Sequence, residues 1–140
     1  MTEIYTFRCH KISGGVAEGE ALKSSDDICF YLIDPKSGTV IEEGHAAAGK
    51  KVGGKVLIFP SGKGSSVVQA DGLYQLSVHG NAPKAMIIKF PDPVLVASCI
   101  IMNILLVDRV DEKFYALVED GDVIRVDADQ GIVLLSKKGG

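Results

Sequence analysis

The segment Pro60-Ser61-Gly62-Lys63-Gly64-Ser65-Ser66 holds the residue types best suited to chemistry in this 140-residue chain. An apolar run, Lys55 to Phe59, leads into it, and Val67 to His79 follows with Val68, Gly72, Leu73 and Leu76 near one helical face. A strand would thus deliver the loop to a helix N-terminus, where unpaired N–H groups and the positive dipole end favour an anion. Gly62 and Gly64 let a ligand approach the backbone and Lys63 adds a charge, so these three are the expected substrate-binding residues. Ser65 and Ser66 put hydroxyls where the helix begins. A serine is too weak an acid to supply a base at neutral pH unless its alkoxide is stabilised. A helix N-terminus, a lysine or a metal can do that. A tight turn with a serine N-cap accounts for the same residues without any ligand. The pattern alone leaves both readings open.

The standard loops do not fit. A G-x-x-x-x-G-K-[ST] phosphate loop would need glycine where Leu57 stands and a hydroxyl where Gly64 stands. A G-x-G-x-x-G fingerprint fails at Val67, and no G-x-S-x-G elbow occurs. Cys9, Cys29 and Cys99 are widely spaced, with no C-x-x-C pair, and His10, His45 and His79 are equally scattered. The expectation is that the chain ligates no metal by itself. Glu18 and Glu20 read as exposed loop carboxylates, and Asp92 as a turn residue between prolines. His45 and His79 read as surface or helix-end histidines, and Cys99 as a small hydrophobe.

The elements that must carry the loop alternate. Glu3–Phe7 reads as a strand, and residues 28–41 as a hairpin around Asp34-Pro35-Lys36-Ser37-Gly38. After the loop and its helix come a strand at Ala85–Lys89, an all-round apolar helix at Pro93–Met102 and a strand at Ile104–Asp108. A charged helix at Asp111–Leu117 and a closing hairpin around Asp129-Gln130-Gly131 complete the chain, with Lys137–Gly140 expected as a flexible tail. This predicts one α/β domain over residues 1–136. Its mixed sheet would combine parallel βαβ units with flanking antiparallel strands.

Composition narrows the function. Charged residues make up 24% and the formal charge is -3, with no cationic tract, which argues against nucleic acid or an anionic membrane as partner. Aromatics at 6%, without tryptophan, argue against a base-stacking surface. The longest uncharged run, Pro93–Val107, falls short of the ~18–20 residues that span a bilayer. No signal peptide is visible, and the odd thiols read as reduced cysteines of a cytoplasmic protein.

Taken in order, Gly15-Val16-Ala17-Glu18-Gly19-Glu20-Ala21-Leu22, Phe59–Ser66, Ala82-Pro83 and the closing segment Gly121 to Val133 resemble the small subunit of the aconitase X family. The resemblance implies a swivelling β/β/α domain related to the mobile domain of aconitase. It also implies a [4Fe-4S] cluster ligated by a separate large subunit and not by this chain. Gly64-Ser65-Ser66 matches the aconitase loop whose serine accepts the substrate proton, so Ser65 becomes the expected base and Ser66 the second choice. Aconitase continues with an arginine for the substrate carboxylate; Val67 stands there, leaving that role to Lys63 or to the partner. The activity implied for a short separate chain is dehydration of (R)-5-phosphomevalonate to trans-anhydromevalonate 5-phosphate in an archaeal-type mevalonate pathway. The alternatives are the small subunit of a cis-3-hydroxy-L-proline dehydratase, or a binding module without catalysis.

Overall fold

The computed structural model describes residues 2–138. Eight strands form one mixed sheet: β1 Thr2–Arg8, β2 His10–Ser13, β3 Val16–Lys23, β4 Val56–Phe59, β5 Ala85–Ile88, β6 Leu105–Asp108, β7 Val123–Asp127 and β8 Ile132–Lys138. Three helices accompany them: α1 Ser66–Val78, α2 Pro93–Met102 and α3 Glu112–Leu117. The strand order is β1-β8-β7-β3-β4-β5-β6-β2. β3, β4, β5 and β6 run parallel, while β1, β8 and β7 at one edge and β2 at the other pair antiparallel. The expected combination of parallel βαβ units with antiparallel flanks is the observed one.

All residues of β4, β5 and β6 are buried, because helices or the folded-over antiparallel sheet cover both faces. Period-two alternation divides them. Leu57, Phe59, Met86, Ile88 and Leu106 join the core beneath α1 and α2. Val56, Ile58, Ala85, Ile87, Leu105 and Val107 join a second core with Phe114, Ile124, Val126 and Leu135. β3 links the two halves: Val16–Glu20 pairs with β7, and Ala21–Lys23 then pairs with β4.

Four sequence expectations need correction. β2 and β3 lie outside the strands expected from the sequence: β2 is only four residues long, and Ala17 and Gly19 hide the alternation of β3; Glu18 and Glu20 are exposed on a strand rather than in a loop. Within 28–41 only the turn is hairpin-like, through a bridge between Ile33 and Val40, while Phe30–Leu32 forms a 3-10 turn. Lys137 and Lys138 belong to β8, where the Lys137 ammonium meets Asp122 at 2.6 Å and Glu119 at 3.0 Å; Gly139 and Gly140 lie outside the described residues. His45 is buried rather than superficial. The Ala47 N–H donates to its Nδ1 at 2.9 Å, so Nε2 carries the proton and donates to the Asp27 carbonyl at 2.8 Å.

Candidate active site

The carboxyl ends of β3, β4, β5 and β6 share one edge, the place where open α/β sheets position their ligands. The loop from Pro60 to Ser65 leaves β4 there. Its start is pinned: Lys89 and Phe90 both donate backbone N–H groups to the Pro60 carbonyl, and Ser61 Oγ donates to the Phe90 carbonyl at 2.7 Å. Ile28 runs beside it as a short parallel bridge to Gly62. The loop is therefore built into the sheet's edge.

Ser65 is the N-cap of α1, with extended backbone (φ -67, ψ 163) and Oγ accepting from the Val68 N–H at 3.4 Å. Ser66 is the first helical residue, and both serines are exposed. An N–H donated to a hydroxyl oxygen caps the helix, and the same donor stabilises negative charge on that oxygen. The two readings of Ser65 thus use one geometry. Gly64 has φ +108, a conformation that a side chain resists, and a methyl group there would touch Cys29 Sγ at 3.4 Å. At Gly62 the obstacle is Gln69, whose Oε1 would lie 2.3 Å from an added methyl.

Lys63 does not point its charge at Ser65. Its ammonium pairs with Glu42 Oε2 at 2.6 Å, and this bond raises the lysine above its ordinary range. Glu42 belongs to the 42–50 loop, which the buried His45 and the Asp26 carboxylate fasten beside Ile28; Asp26 accepts from the Ala46 N–H at 2.9 Å. Gln69 is almost wholly buried and donates to the Gly64 carbonyl at 2.9 Å and to Asp92 Oδ2 at 3.4 Å. Asp92 caps α2, accepting from Val94 at 2.8 Å and Leu95 at 3.3 Å, as a turn aspartate beside prolines should.

The sequence therefore located Gly62, Lys63, Gly64, Ser65 and Ser66 on one loop, but Glu42, Cys29 and Gln69 reach it only through the fold. A glutamine beside the apolar positions of the helix is the one signal that could have marked any of them. His10 and Asp108 also meet, at 2.7 Å, but they tie β2 to β6 away from the loop.

The thiols do not gather. Cys99 is buried in α2 and its pKa is pushed up to about 12 by burial, while Cys9 is raised to about 11 chiefly by burial as well. Cys29 lies beside Gly64, and among the described residues no three His, Cys, Asp or Glu side chains converge in a way that could hold a metal. The described residues do not fit an iron–sulfur cluster.

Comparison with known proteins agrees with this architecture. The family model of the aconitase X swivel domain matches residues 6–135. A protein of Methanocella arvoryzae named phosphomevalonate dehydratase small subunit is 48% identical over 91% of this chain and 96% of its own length. One of the same name from Methanosarcina acetivorans is 45% identical over 92% of this chain and 90% of its own. The crystal structure of Thermococcus kodakaraensis aconitase X in its holo-form superimposes with a TM-score of 0.85. It is 36% identical and covers 94% of this chain and 98% of that one. The fold, the loop at its carboxyl edge and these likenesses together identify the chain as a member of the aconitase X swivel-domain family.

Proposed function

We propose that this chain is the small subunit of a heteromeric hydro-lyase that converts (R)-5-phosphomevalonate to trans-anhydromevalonate 5-phosphate and water. Relatives that match most of its length carry the name phosphomevalonate dehydratase small subunit. The structural observation that carries the reading is Ser65: an exposed hydroxyl at the start of a 13-residue helix, capped by an inward N–H, on a glycine-hinged loop.

The reaction removes the proton α to a carboxylate and the β-hydroxyl, and water is the only other product. Ser65 Oγ takes the proton, and the Val68 N–H and the α1 dipole stabilise the alkoxide that must exist beforehand. Gly62 and Gly64 admit the substrate to the backbone, and Lys63 offers the two ammonium N–H bonds that Glu42 leaves free. Ser66, one residue further into α1, is the second choice for the base. A [4Fe-4S] cluster, which would be held by the large subunit and not by this chain, would supply Lewis-acid chemistry at the departing hydroxyl. The swivel fold would bring Ser65 to that partner. The three free thiols suit a reducing, cytoplasmic setting.

The test is co-expression with a cluster-bearing large subunit and an anaerobic assay by NMR. Stoichiometric formation of the trans-anhydro product is the expected result. Turnover of cis-3-hydroxy-L-proline in its place would move the chain to the other dehydratase activity, and an assembled complex inert to both would leave a binding module.

A further inference from the structure

A second cavity opens on the same carboxyl edge, on the α3 side of the sheet. It measures about 400 Å³, and its walls include Lys23, Ser25, Pro60, Lys89, Glu112 and Tyr115. Pro60 is shared with the serine loop: it forms a wall here and leads to Ser65 five positions later.

Two ammonium groups converge on Tyr115 at this cavity. Lys23 Nζ donates to the Tyr115 carbonyl at 2.5 Å and to the Val118 carbonyl at 3.4 Å. Lys89 Nζ lies 4.6 Å from the centre of the Tyr115 ring. Tyr115 is itself fixed, nearly buried with its hydroxyl donating to the Ile88 carbonyl at 3.2 Å. One carboxylate lines the cavity, Glu112, and its ion pair with Lys89 is loose. Lys23 has only carbonyl partners for its side chain, and Lys89 meets Glu112 at 3.8 Å, where the glutamate is 83% exposed. Ser25 adds an exposed hydroxyl from the end of β3. Two cations and a hydroxyl beside a rigid aromatic wall are the donor set for a dianionic, tetrahedral oxyanion.

We infer that the cavity lined by Lys23, Ser25, Lys89 and Tyr115 is a phosphate subsite that receives the phosphomonoester end of the substrate whose α-proton Ser65 removes. This rests on the proposed dehydratase reading. It divides the substrate's charges between two places on one edge, with carboxylate toward the Lys63 loop and phosphate toward Lys89. Specificity for a phosphorylated substrate over its free alcohol would then come partly from this small subunit.

The assembled complex provides the test. Lys89→Met should raise KM for (R)-5-phosphomevalonate roughly tenfold or more with kcat changed little, as loss of one charge-assisted hydrogen bond requires. Lys89→Arg, which keeps the charge, should retain most of the affinity. An activity-free readout accompanies it: acetylation of Lys89 in the wild-type complex, followed by peptide mass, should slow in inorganic phosphate relative to chloride of equal ionic strength. An unchanged KM together with unprotected Lys89 would overturn the subsite. So would failure of the Lys89→Met chain to assemble with the large subunit while Lys89 stays unprotected by phosphate in the wild-type complex, because the cavity would then be a contact with the partner. If the wild-type complex does not dehydrate phosphomevalonate, the dehydratase reading fails by itself, and phosphate protection of Lys89 still decides whether the cavity binds phosphate.

Discussion

Gln69, in the first turns of α1, donates from Nε2 to the carbonyl of Gly64 at 2.9 Å, so the helix grips the loop that precedes it. The same amide reaches Asp92 at 3.4 Å and thereby joins the caps of α1 and α2. Its Oε1 is buried without a hydrogen-bond partner among the described residues, and it occupies the space a side chain at Gly62 would need. Gly62→Ala must therefore displace the Gln69 amide and disturb its bond to the Gly64 carbonyl. We expect a stability loss of about 1–3 kcal/mol and a fall in kcat, read from denaturant midpoints and turnover of the complex. Unchanged values for both would show that the loop does not depend on this brace.

Gly72 presents a second test of close approach. A methyl group there would lie 2.4 Å from the Tyr31 nitrogen and 2.5 Å from the Phe30 carbonyl carbon, both backbone atoms that cannot swing aside. Helix propensity favours alanine by roughly 1 kcal/mol, but α1 would have to lift from the 3-10 turn. Gly72→Ala is expected to lower stability by about 2 kcal/mol net, measured by chemical unfolding. A stabilised variant would mean that α1 and the 3-10 turn do not pack as described.

Cys99 sets an alkaline limit. Burial raises its thiol from an ordinary 9.0 to about 12, so the folded state keeps a proton that the unfolded chain gives up. The stability associated with this thiol is complete below pH 9 and is lost as pH rises toward 12. Cys99→Ala is expected to flatten the decline of unfolding free energy in that window by up to ~1.4 kcal/mol per pH unit. Parallel curves for variant and wild type would contradict the assignment.

What could be read in the sequence follows from where the physics is local. The strands Val56–Phe59, Ala85–Ile88 and Leu105–Asp108 are short apolar runs buried on both faces, and Ser65 and Asp92 are caps recognisable from their neighbours. β3 was hidden because its inward positions are Ala17 and Gly19; a larger residue at 19 would meet the Gly54 carbonyl 3.0 Å away. The Glu42–Lys63 pair spans 21 positions and the Gln69 brace depends on a glycine's missing side chain, so neither leaves a periodic trace. The Lys23–Lys89 cavity needs three strands and α3 in register before it exists. Its lysines, read singly, are ordinary surface residues.

The most direct test of the central claim is Ser65→Ala in the assembled complex, with turnover of (R)-5-phosphomevalonate and melting temperature measured on the same sample. As the general base, Ser65 should carry a loss of ~10²–10⁴-fold in kcat, while assembly and most of the substrate affinity persist. As an N-cap alone, its loss would cost ~0.5–2 kcal/mol of stability and leave turnover nearly intact. We expect the collapse of kcat, with Ser66→Ala far milder. Near-wild-type turnover at a lowered melting temperature would contradict the account and return Ser65 to a purely structural role.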